Sequence, residues 1–78
     1  MLTSVSNSGG VRTLAFNRPE ALNAFNEDMF DAVAADVLAA AADERVKVLV
    51  ITGTGRAFSA GMDLAAQRGG PAPKYGFP

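Results

Sequence analysis

The residues best placed to do chemistry are Ala60-Gly61-Met62-Asp63-Leu64, and what they offer is backbone. They follow an apolar strand and a pair of glycines and open a predicted helix. N–H groups at a helix start have no partner inside the helix, so they can hold a phosphate or a developing oxyanion. From the residues alone, a helix start that only caps itself is the commoner case, and Asp63 reads first as that cap. Side-chain chemistry is thin by comparison. The chain has no histidine and no cysteine. It therefore supplies no imidazole base, no Ser-His pair, no thiolate or disulfide, and no His or Cys metal ligand.

Two neighbouring patterns resemble known devices and fall short of them. Gly53-Thr54-Gly55 follows a strand as a dinucleotide fingerprint does, but G-x-G-x-x-G would need glycine where Phe58 stands. A tight turn that lets residues 56–58 double back accounts for it. Ser59 in Ala57-Phe58-Ser59-Ala60-Gly61 lacks the first glycine of a nucleophile elbow. Without histidine it reads as a small side chain under a turn.

The elements that must position this stretch are legible. Val48-Leu49-Val50-Ile51-Thr52 is apolar or β-branched without alternation, which suits a strand over 46–52 covered on both faces. Residues 2–6 and 11–16 form a predicted hairpin around the turn Asn7-Ser8-Gly9-Gly10, with Leu14 and Phe16 sharing a face. Pro19 stops the second strand. Residues 21–24 make a connector, and Arg18 reads as a solvated charge. Asn26 caps a helix over 27–42, with Glu27 and Asp28 at its positive end. Met29, Phe30, Val33, Val37, Leu38 and Ala41 form its apolar stripe, and Asp36 and Asp43 face water. The order is ββαβα, an α/β arrangement in which the strands flanking the helix lie parallel.

Seventy-eight residues permit one small domain, and 49% hydrophobic content is high for that size. A net charge of −1 gives no field that favours nucleic acid or an anionic membrane. No apolar run approaches the ~18 residues of a membrane span, and no leader pattern opens the chain. A cytoplasmic location is the expectation. Residues 1–67 form the predicted domain; residues 68–78 are Gly/Pro-rich loop, expected to be a truncated end.

Two separated stretches carry a family resemblance. Phe16-Asn17-Arg18-Pro19-Glu20-Ala21-Leu22-Asn23-Ala24-Phe25-Asn26, then a helix and a strand, then Gly53-Thr54-Gly55-Arg56-Ala57-Phe58-Ser59-Ala60-Gly61-Met62-Asp63-Leu64, resemble the front end of an enoyl-CoA hydratase/isomerase of the crotonase superfamily. The resemblance implies an incomplete crotonase-like spiral of ββα units. It implies that the Met62 N–H is one of two oxyanion-hole donors for an acyl-CoA thioester. It also implies that Glu20, Ala21, Leu22, Ala24, Ala60, Gly61, Asp63, Leu64 and Ala65 line the CoA site. Coenzyme A enters as part of the substrate, with no separate cofactor and no metal. The second donor and the catalytic glutamates of the family have no counterpart in this sequence, so the 78-residue chain is expected to be inactive alone. Its expected partners are the missing C-terminal portion or homologous chains, in a trimer or hexamer when complete. The alternative is a non-catalytic interaction piece that associates with a complementary chain.

Overall fold

The computed structural model describes residues 1–62. Strand β1 (Thr3–Ser8) pairs antiparallel with β2 (Val11–Phe16), and β2 pairs parallel with β3 (Val48–Gly53), giving the sheet order β1-β2-β3. Helix α1 (Glu27–Ala42) makes the crossover between the parallel strands. The described order is thus ββαβ; the predicted second helix lies outside the described residues.

The hairpin turn is tighter than the sequence suggests. Gly9 and Gly10 alone turn the chain, both at positive φ (54° and 86°), as a two-residue hairpin loop requires. Asn7 and Ser8 therefore stay in β1. Strand β3 starts at Val48, two residues later than expected, because the Lys47 and Val48 N–H groups both donate to the Gly10 carbonyl.

Helix α1 has the expected bounds. The Asn26 side chain accepts from the Met29 N–H at 2.9 Å, closing the first turn. Met29 is fully buried against Leu14 and Phe16, with Leu2, Phe25, Val33 and Leu49 around them. Burial of each large side chain contributes roughly 1.5–3 kcal/mol. The helix lies over β1 and β2, so its stripe is only partly used: Val37 and Leu38 are exposed, while Ala40 is buried.

Both aspartates predicted to face water are half-buried and paired. Asp36 accepts from the Thr3 hydroxyl and ties α1 to β1. Asp43 accepts from Arg12 Nη2 and Arg45 Nη2, each at 2.9 Å, joining β2 to the α1–β3 loop. Among the described residues, strand β3 forms one edge of the sheet. Val48, Val50 and Ile51 are exposed, so the cover that its composition calls for is not provided among the described residues.

Candidate functional site

The carboxyl ends of β2 and β3 lead into the two stretches singled out from the sequence. After Phe16 the chain makes a 3₁₀ turn, Pro19–Ala21, and then places Leu22 and Asn23 in the left-handed region (φ 52° and 57°). Left-handed backbone is costly for a residue with a Cβ, more so for leucine than for asparagine. It turns two carbonyls toward the second stretch. The Leu22 carbonyl accepts from the Ala60 N–H at 2.9 Å, and the Asn23 carbonyl accepts from Ser59 Oγ at 2.9 Å.

Asn23 is the centre of this arrangement. It is wholly buried. Its Oδ1 accepts from the Arg18 N–H at 2.8 Å, and its Nδ2 donates to the Thr54 and Ala57 carbonyls, both at 2.9 Å. The residue thus satisfies its own polar groups and braces both loops, as a buried amide must. Arg18 is not the solvated charge predicted: its Nη1 donates to the Ala24 carbonyl at 2.9 Å. Gly53 permits the doubling back read from the sequence. A Cβ there would stand 2.5 Å from the carbonyl oxygens of both Ala57 and Phe58.

The second stretch docks on the first as a short parallel pair. The Phe25 N–H donates to the Gly61 carbonyl at 2.7 Å, and Phe25 and Met62 form a parallel β-bridge. Gly61 has φ 94°, a value that favours glycine and redirects the chain at this point. The Gly61 N–H donates to Ser59 Oγ at 3.1 Å. Ser59 is therefore a brace, in line with the modest role read from the sequence. In a parallel pair the residue opposite Phe25 aims its own N–H and C=O away from that strand. Among the described residues none accepts from the Met62 N–H. Phe25 also anchors an aromatic cluster, at 5.0 Å from Phe16 edge-on and 4.9 Å from Phe30, with Phe58 5.1 Å from Phe16.

The structure so brings Ala21, Leu22, Ala24, Ala60, Gly61 and Met62 into one neighbourhood through these bonds, with Glu20 exposed on the 3₁₀ turn. Asp63, Leu64 and Ala65 lie outside the described residues. Ser59 reads from the sequence as a side chain under a turn, but Asn23 and Phe25 are not singled out there as supports. A polar residue inside the apolar run Ala21-Leu22-Asn23-Ala24-Phe25 was the available signal. A separate cleft of about 200 Å³, lined by Asn7, Gly10, Arg12, Asp43, Arg45 and Val46, lies at the opposite end of the sheet.

A family model described as enoyl-CoA hydratase/isomerase matches residues 11–70. This chain belongs to the enoyl-CoA hydratase/isomerase family of the crotonase superfamily. Among its crotonase relatives, the 1,2-epoxyphenylacetyl-CoA isomerase of Escherichia coli is 43% identical over 70 residues, 86% of this chain and 27% of the isomerase. The crystal structure of an enoyl-CoA hydratase from Mycobacterium marinum superposes with a TM-score of 0.84 at 51% identity, over 87% of this chain and 32% of the hydratase. That of an enoyl-CoA hydratase from Mycobacterium tuberculosis gives 0.86 at 32% identity, over 96% and 34%. The chain thus spans about a third or less of the length of these crotonases. The small α/β unit described above is the corresponding part of the crotonase fold.

Proposed function

We propose that this chain supplies part of an acyl-CoA site and one oxyanion-hole donor, the Met62 N–H, to an enzyme of hydratase or isomerase type. The observation that carries the reading is the order of the N–H groups over residues 60–62. Those of Ala60 and Gly61 are bonded internally, to the Leu22 carbonyl and Ser59 Oγ, while that of Met62 faces away from its strand partner. One preorganised donor is thereby left for a ligand. As a thioester carbonyl becomes enolate-like, its oxygen gains charge, and a fixed N–H already aimed at it lowers the barrier without reorganisation.

On this reading, Glu20, Ala21, Leu22 and Ala24 on one stretch, and Ala60 and Gly61 on the other, border the CoA moiety. Asp63, Leu64 and Ala65 continue the same passage. Coenzyme A is part of the substrate. The second donor and the carboxylates that add water or move a proton come from further chain of the same fold. The edge of β3, uncovered among the described residues, favours association with such a chain, in cis or as a separate polypeptide. The names of the relatives include both an isomerase and a hydratase, so the acyl group and the reaction type depend on those other residues.

The test is an amide NMR titration of the 78-residue chain with acetyl-CoA and, separately, with free coenzyme A. Both ligands should shift the amides of residues 20–24 and 60–61, and acetyl-CoA should add a downfield shift at Met62. An identical Met62 response to the two ligands would contradict the donor assignment.

A further inference from the structure

We infer that Ser59 and Asn23 are positioning residues that, together with the Phe25–Gly61 bond, set the direction of the Met62 N–H; this rests on the reading of Met62 as the oxyanion donor. Among the described residues, three connections hold residues 60–62 in place, and each leads back to residues 22–25. The Ala60 N–H reaches the Leu22 carbonyl, the Phe25 N–H reaches the Gly61 carbonyl, and Ser59 Oγ joins the Gly61 N–H to the Asn23 carbonyl. The third is the one made by a side chain. The Ser59 hydroxyl donates to Asn23 at 2.9 Å and accepts from Gly61 at 3.1 Å, using both of its capabilities at once.

Two consequences follow for the donor. First, the serine occupies the Gly61 N–H. Without the hydroxyl, that N–H would be a second free donor beside Met62, and Gly61 at φ 94° could relax. Second, the serine hangs from a carbonyl whose direction is set by the left-handed conformation of Asn23. That conformation is held by the buried amide, which grips Arg18, Thr54 and Ala57 together. The direction of the Met62 N–H is thus set, among the described residues, from the loop before α1.

The experiment compares the 78-residue chain with its Ser59→Ala and Ser59→Thr variants by amide exchange and ¹⁵N relaxation. In Ser59→Ala the Gly61 amide should exchange roughly fivefold to tenfold faster, the scale of one lost hydrogen bond, and Met62 should lose order. Ser59→Thr keeps the hydroxyl and should retain the native values at both sites. Leu14, in the core of the sheet, should not change in either variant. Unchanged Gly61 exchange in Ser59→Ala would overturn the inference, and so would an equal acceleration at Leu14. A ligand arm uses acetyl-CoA labelled with ¹³C at the thioester carbonyl. Ser59→Ala should move the bound carbonyl signal toward its free position, and Ser59→Thr should restore it. If Met62→Pro and Met62→Ala leave that signal at the same place, the donor reading fails, whatever the exchange data show for Ser59.

Discussion

Phe25 and Met62 face each other as a parallel pair across a gap of 36 residues in sequence, with the Phe25 N–H on the Gly61 carbonyl at 2.7 Å. The pairing fixes which backbone groups of residues 60–62 are satisfied inside the fold and which one looks outward. It depends on the bend at Gly61, where an added Cβ would meet nothing within 4 Å but would sit on a φ of 94°. Gly61→Ala should therefore act through the backbone alone. The expected cost is about 1–3 kcal/mol, confined to this pair and visible as a shifted Met62 amide. A Met62 amide that stays put would show that the bend does not direct the donor.

Gly53→Ala should be the more damaging of two glycine substitutions. A Cβ at 53 would press on the Ala57 and Phe58 carbonyls at 2.5 Å, and backbone cannot move aside as a flexible side chain can. At Gly9 there is open space and only the positive φ to satisfy. Thermal melts should place Gly53→Ala below Gly9→Ala, by roughly 1–3 kcal/mol. The reverse order would mean that residues 53–58 can reopen at little cost.

The path from sequence to structure was short where a single local rule decides the outcome. Asn26 with Glu27 and Asp28 marked the helix start, and the β2–α1–β3 order required parallel strands. The paired glycines mark the hairpin turn, but Asn7 and Ser8, turn-prone by type, stay in β1 because two glycines at positive φ suffice to turn the chain. What stayed hidden depends on contacts between distant segments. Asn23 reaches residues more than thirty positions away, and Arg12 reaches Asp43 across a whole helix. A helical wheel puts Asp36 and Asp43 on the wet side, and only the tertiary arrangement supplies Thr3 and two guanidinium groups. The motif names Met62 as a candidate, whereas the hydrogen bonds of Asn23 and Ser59 around it are visible only in the structure.

Asp43 should make stability sensitive to acid. Its hydrogen bonds with Arg45, and then with Arg12, hold its carboxyl well below the ordinary value of 3.8. The unfolded chain therefore takes up the proton first as pH falls. The contribution is complete above about pH 5 and is lost progressively as pH drops through 3.8 toward the folded value. Asp43→Asn should lower the Tm at pH 7, and the gap from the parent chain should narrow steadily on acidification. Added salt should narrow it too, since Arg45 is 89% exposed. A gap that widens toward low pH would contradict the assignment.

The exposed edge at β3 should make the 78-residue chain associate with itself. Val48 and Val50 lie on the sheet face away from α1, in register with Val11 and Thr13, and are left uncovered among the described residues. Sedimentation velocity should show mass growing with concentration, and Val50→Lys should reduce it by charging that face. Monomeric behaviour of the parent chain at every concentration would count against an unfilled sheet edge.

The central claim is that Met62 contributes its N–H and not its side chain. The measurement is kcat for crotonyl-CoA hydration by a chimera in which residues 1–62 replace the matching part of the Mycobacterium marinum enoyl-CoA hydratase. Met62→Ala keeps the donor and Met62→Pro deletes it. Circular dichroism and coenzyme A affinity must first show both variants to be folded and able to bind. The proline variant should then be slower than the alanine variant by a factor of about 10²–10³, the scale of a single oxyanion donor. Equal kcat values in the two folded variants would contradict the account.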